Sequence, residues 1–244
     1  GQLQLILASQ TRVTNNIPST IQLHHTNRLP PRTSTILPTP SSHTVTAIGG
    51  QAQISLPLSL PVYTMTSYQT VIAFWFTQSS PRQWWQKDVA FDQSIRDQFA
   101  DLHQQARQGE LYHWRSTEQG RLAEILILDQ FSRNLFRDSP LAFACGPMAL
   151  ALAQEAVALG ADKQLTAQQR PFLYMPYMHS ESLTIHSLAI SLFKHNNNPD
   201  NLEFEMKHQR TIERFGRYPH RNVVLSRAST EEELTFLQQA DSAF

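Results

Sequence analysis

Three short polar stretches carry the residues of this chain that could do chemistry. Asp129, Arg133 and Arg137 recur at intervals of four in a stretch whose helical circumference is mostly apolar. His179-Ser180-Glu181 follows the segment Leu173-Tyr174-Met175-Pro176-Tyr177-Met178. Arg217, His220 and Arg221 crowd a turn that Gly216 and Pro219 make compact, with Arg227 beyond. His208 shares a predicted helix face with Phe204, Thr211 and Phe215. Arginine grips carboxylates and phosphates bidentately, and histidine changes charge near neutral pH. Asp129, Arg133, Arg137, His179, Glu181, His208, Arg217, His220 and Arg221 are therefore the candidate residues for holding a small anionic ligand or a peptide.

Each stretch also has a plainer use. Asp129 and Arg133 form an i, i+4 pair in the favourable order and suit a structural ion pair. Ser180 suits a helix cap with Glu181 in the first turn. The arginines near Gly216 suit helix C-termini and acids elsewhere. A hydrolase would use Glu181 or Asp129 as base and His179 or His220 as acid or ligand. No nucleophile elbow and no glycine-rich phosphate loop accompanies them, so no catalytic residue is assigned. No two histidines have a local metal spacing, so no metal and no cofactor is expected. The single cysteine, Cys145, reads as packing. A third possibility is a protein-interaction scaffold.

The elements that would position these residues are all helices. A stripe of Tyr68, Val71, Ile72, Trp75 and Phe76 opens the pattern. Ser80-Pro81 starts a helix, and Asp88 caps a longer one that buries Phe91, Ile95, Phe99 and Leu102. The capping box Ser116–Gln119 starts a helix to about Arg137, apolar around most of its circumference, with Asp129 and Arg133 facing inward. Pro147 and Gly160 bracket the next helix. Thr166 with Gln169 caps another that Pro176 interrupts. Ser180 or Ser182 starts one with Leu188, Leu192 and Phe193 inward. Asp200 with Glu203, and Ser229 with Glu232, cap the last two. Trp84, Trp85 and Trp114 read as packing anchors. The fold class is all-α, an irregular stack of helical hairpins.

The first 64 of 244 residues are unlike the rest. They hold Arg12, Arg28 and Arg32 but no Lys, Asp or Glu, and are rich in Ser, Thr, Gln and Pro. Such a stretch buries too little apolar surface to offset its ordering entropy, so residues 1–64 read as a disordered extension and 65–244 as the helical domain. An acid-poor leader is one origin for it; a native start at Met65, with the upstream residues translated by a mistaken start, is the one expected. The formal net charge is zero, which argues against nucleic-acid and membrane-surface partners. A lone cysteine suits a reducing compartment, here the cytoplasm. No apolar run was found near the ~20 residues of a membrane helix.

The blocks Leu128-Asp129-Gln130-Phe131-Ser132-Arg133-Asn134-Leu135-Phe136-Arg137, Leu173–Glu181 and Arg214–Asn222 resemble, in that order, the hallmark segments of the bacterial domain-of-unknown-function 924 family. Ile72–Phe76 and Ser229–Glu232 resemble it too. The resemblance covers about Ser67 to Phe244 and implies a TPR-like helical fold with no established activity. Where the family usually has Leu-Gly-Arg-Glu-Ser-Thr, this chain has Leu225-Ser226-Arg227-Ala228-Ser229-Thr230. Ser226 would be strained if that turn needs positive φ.

Overall fold

In a computed structural model of the chain the described residues are 67–239 and Ser242, within the unit Ser59–Phe244. The expectation of a disordered extension over residues 1–64 lies outside them. Among the described residues there are helices and no strand. They are α1 (Tyr68–Ala73), α2 (Pro81–Trp85), α3 (Val89–Arg107), α4 (Glu118–Leu126), α5 (Ser132–Leu135), α6 (Leu141–Ala144), α7 (Gly146–Ala158), α8 (Arg170–Met178), α9 (Leu183–His195), α10 (Pro199–Phe215) and α11 (Glu231–Leu237). The all-helical expectation holds.

α4 and α5 form one continuous rod joined by a π-turn at Ile127–Phe131. Residues 122–132 are all buried. α1, α7 and α8 pack on α4, and α3 packs on the π-turn and α5. Phe74, Trp75, Phe91, Phe99 and Phe131 fill the space between them, with ring centroids 4.9–6.1 Å apart. Consecutive helices then stack onward: α8 on α9, and α9 on α10.

Local details depart from expectation for identifiable reasons. The cap of α4 is Thr117, whose hydroxyl accepts from the Gly120 amide at 3.0 Å; Ser116 instead donates to the His113 carbonyl. α11 is capped by Thr230 with Glu233, one residue beyond the pair expected. α10 starts after Asn198, whose side chain accepts from the Asn201 amide, because Pro199 occupies the first helical position. Ser182, not Ser180, precedes α9. Pro176 does not interrupt α8, which runs through it to Met178. Leu188 is half exposed, and α9 turns His186, Ala189 and Phe193 inward instead. Trp85 is exposed, stacked on Phe172. Ser226 does adopt positive φ, +54°.

Contrary to the expectation that no apolar run approaches the length of a membrane helix, Leu141–Ala158 is long and apolar enough to cross one by length and composition. Here it bends at Cys145 into α6 and α7, and Ala149, Ala153 and Ala156 of α7 sit fully buried.

Gly120 is the close-packing point of the central rod. A Cβ there would lie 2.0 Å from the Trp114 carbonyl oxygen, a backbone atom that cannot swing aside. Gly120→Ala is expected to destabilise the fold by about 3 kcal/mol through overpacking, measured by urea unfolding; a loss under ~0.5 kcal/mol would show that the turn before α4 yields easily.

Candidate functional site

The π-turn sets the site. In a π-turn the chain advances more residues per turn than in an α-helix, which re-aims the side chains that follow. Asp129 and Gln130 fall inside it, 4% and 7% exposed. Asp129 Oδ1 meets His179 Nδ1 at 2.8 Å, and Asp129 Oδ2 accepts from Gln130 Nε2 at 2.6 Å. These are its direct partners; Arg133 acts on it through space, so the expected i, i+4 ion pair is not the contact that forms. Burial pushes the Asp129 carboxyl up, but the His179 hydrogen bond, Arg133 and Gln130 outweigh it and hold Asp129 at about 2. Asp129 is ionised, and it fixes Nδ1 of His179 as the nitrogen that donates.

His179 ends α8, and its side chain keeps 17% of its surface open. With Nδ1 tied to Asp129, Nε2 is the nitrogen left over, and among the described residues it makes no hydrogen bond. Burial and Arg133 lower His179 to about 4, so the ring is neutral.

Two arginines close on this pair. Arg221 lies in the 3₁₀ turn Pro219–Arg221 and donates from Nη1 to the His179 carbonyl at 3.1 Å. Its guanidinium stacks over Tyr218 (4.3 Å) and Phe143 (4.8 Å). Arg133 stacks over the same Phe143 ring at 5.3 Å. Neither arginine is paired with a carboxylate among the described residues, and the Nε of each is buried without a hydrogen bond. Burial and the neighbouring Arg133 charge push Arg221 down to about 10. His208 and His220 border the group: the His179 and His208 ring centroids are 6.4 Å apart, and Tyr218 lies 5.7 Å from His208 and 5.6 Å from His220. Burial holds both histidines at about 3.

The structure thus brings together Asp129, Arg133, His179, His208, His220 and Arg221. Glu181 is adjacent but fully engaged, accepting from the Tyr218 amide at 2.8 Å and from Arg227 at 2.8 and 3.0 Å. It is neither the cap nor a free base. Arg137 points elsewhere, gripping Asp92 beside a cavity of about 260 Å³ lined also by Lys87, Arg96 and Asn134. Arg217 holds Glu233 bidentately at 2.6 and 2.7 Å.

Sequence reasoning missed several members. Gln130, Phe143 and Tyr218 complete the cluster. Behind Tyr218 a buried pair supports it: Glu205 Oε1 lies 2.7 Å from His186 Nδ1, and His186 Nε2 faces the Ser180 carbonyl at 2.9 Å. Burial raises the Glu205 carboxyl above its ordinary value. Ser132 and His103 lie 2.8 Å apart, but the Ser132 hydroxyl is buried and donates to the Leu128 carbonyl, so it is not a nucleophile. Among the described residues no three His, Cys, Asp or Glu side chains converge to hold a metal ion.

An all-helical domain with a buried Asp–His pair flanked by two arginines is the class of protein that these features define. The chain belongs to the domain-of-unknown-function 924 family, described as bacterial proteins of unknown function, which it matches over residues 71–241. It is similar to the solved structure of a protein of unknown function from Agrobacterium tumefaciens, with 35% identity and a TM-score of 0.68 over 71% of this chain and 97% of that one. No curated protein is similar enough to carry an activity over to this chain.

The histidines make a testable electrostatic signature. His103, His179, His208 and His220 are neutral in the fold and held at about 3 to 4, against an ordinary 6.5. Below pH 6.5 the unfolded chain takes up protons that the folded chain refuses. Stability is therefore full above pH 6.5 and falls as pH drops toward 4, by about 1.4 kcal/mol per pH unit for each such histidine. His220→Gln is expected to reduce that slope by about one proton's worth, read from urea unfolding at pH 7, 6 and 5; an unchanged slope would place His220 in contact with water.

Proposed function

We propose that this domain binds a small anionic molecule, or the acidic group of a peptide, through Arg133 and Arg221. One observation carries this: two arginines on a single aromatic ring, each with a buried Nε that no group among the described residues satisfies. The chain shows how such arginines are normally settled. Arg115, Arg137 and Arg217 each use the Nε/Nη2 edge to hold a carboxylate, of Glu124, Asp92 and Glu233. Leaving a charged donor buried and unsatisfied costs about 1–3 kcal/mol or more, and an oxyanion meeting both edges recovers it. His179, His208 and His220, all neutral, add polar contacts without adding charge.

The setting we favour is a TPR-like hairpin stack in the cytoplasm of a bacterium. The consecutive packing of α8, α9 and α10 supports the first and the lone cysteine the second. A protein partner is compatible with the peptide version of this reading; nucleic acid, membrane, metal and cofactor are not invoked.

Calorimetric titration of the full chain with succinate, phosphate and sulfate tests it. Binding is expected that Arg221→Ala weakens at least tenfold, whereas a folded Arg221→Ala protein binding as well as wild type would refute the proposal. Arg133→Met adds an independent check. It removes a buried charge that has no hydrogen bond at Nε, so the variant is expected to be as stable as wild type, or up to about 1 kcal/mol more so, while losing the anion. A variant that is several kcal/mol less stable would make Arg133 structural.

A further inference from the structure

The anion-binding reading uses His179 only for a polar contact and leaves Asp129 without a task, yet the geometry of the Asp129–His179 pair is more specific than binding needs. A buried carboxylate fixes the imidazole through Nδ1 at 2.8 Å. The His179 side chain keeps 17% of its surface exposed, and its opposite nitrogen makes no hydrogen bond among the described residues. The arginine that would hold the ligand is hydrogen-bonded to the backbone carbonyl of that same histidine, 3.1 Å away. An orienting carboxylate, a histidine with one free nitrogen and an anion grip tied to that histidine are the parts of a general-base site.

We infer that the domain is a hydrolase of carboxylic esters that carry a second, acidic group: Arg133 and Arg221 hold the acid, and His179 Nε2 is the base that activates water. Nε2 takes one proton from a water molecule as the water oxygen bonds to the ester carbonyl carbon. The carbon–oxygen bond to the alcohol then breaks from the tetrahedral intermediate, and the leaving alkoxide takes the proton back from Nε2–H. Ester and water become acid and alcohol, and His179 returns to its neutral state. Asp129 keeps its charge throughout; it is a positioning residue that holds the tautomer and stabilises the transient imidazolium. A neutral ester carbon is the electrophile that a neutral imidazole can serve by activating water. Phosphoryl transfer would instead rest on positioning and charge neutralisation. Glu181 is excluded as the base by its two bonds from Arg227, and Ser132 as a nucleophile by its burial.

This rests on the anion-binding reading, and one experiment separates the two. The full chain is assayed with mono-4-nitrophenyl succinate, uncharged 4-nitrophenyl acetate and 4-nitrophenyl phosphate, alongside succinate binding by calorimetry. Turnover of the succinate ester is expected, with kcat/KM at least tenfold above that for the acetate ester and no turnover of the phosphate. The wild-type rate should rise as pH increases through about 4 and stay level to 7. His179→Gln should lower kcat about 100-fold or more with succinate binding retained, and Arg221→Ala should act mainly on KM. Asp129→Asn should lower kcat and disturb the acid limb of the pH profile, which a purely structural role would not do. Succinate binding without ester turnover would overturn the hydrolase and leave the binding site standing. Absence of both would overturn both. Turnover of the phosphate ester would overturn the substrate class, and a folded His179→Gln enzyme of wild-type rate would overturn the base.

Discussion

A helix that is buried on every side has nowhere to put a polar side chain except against a partner. That constraint governs this domain. Residues 122–132 are buried without a break, yet they include Glu124, Asp129, Gln130 and Ser132. Unpaired, such groups would cost several kcal/mol each. Each is answered from outside the rod: Glu124 by Arg115 in the turn before α4, Asp129 by His179 at the end of α8, Gln130 by Met175 within α8, and Ser132 by His103 of α3. The central rod therefore specifies where its neighbours sit, through directional contacts as well as through apolar packing. At the candidate site one such contact ends on a side chain, His179, that keeps part of its surface exposed.

The site is also a place where polar settlement is incomplete. Elsewhere arginines find carboxylates or, like Arg96 and Arg170, backbone carbonyls, and even the far-apart partners Arg137–Asp92 and Arg217–Glu233 are matched. Two guanidiniums lie over the Phe143 ring, and among the described residues neither is paired with a carboxylate. Breaks in an otherwise consistent structure concentrate at functional positions, because function tolerates locally what folding disfavours. The neutral histidines fit the same pattern: burial next to arginine keeps them from adding further positive charge.

Much of the fold was legible because helix punctuation is local. Asp88 capping α3, Gly160 and Gly216 at positive φ, and the Thr166–Gln169 turn were all readable from neighbouring residues. Errors of one or two residues arose where adjacent residues could each cap, as with Ser229 and Thr230, or where a proline fixed the start, as with Pro199. The site was legible as a list but not as a geometry. A helix wheel with constant pitch misses the π-turn, so it pairs Asp129 with Arg133 when the real partner is fifty residues away. Nothing local distinguishes Arg137 and Arg217, which have carboxylates at Asp92 and Glu233, from Arg133 and Arg221, which do not. Glu205 and His186 escaped notice because their match, 19 residues apart, follows no single helix period.

Tyr218 has a consequence for the order in which the protein becomes functional. It is completely buried, its hydroxyl bonds the Met178 carbonyl, its amide bonds Glu181, and its carbonyl bonds Arg227. It thereby staples the segment carrying His220 and Arg221 onto the end of α8. A ribosome delivers Asp129, Arg133 and His179 long before that staple exists. A nascent chain can form the aromatic core of α1, α3 and the central rod while only one of the two arginines has been made. The competent site is thus a property of the finished chain, and a protease cutting after Gly216 would silence it while leaving that aromatic core intact.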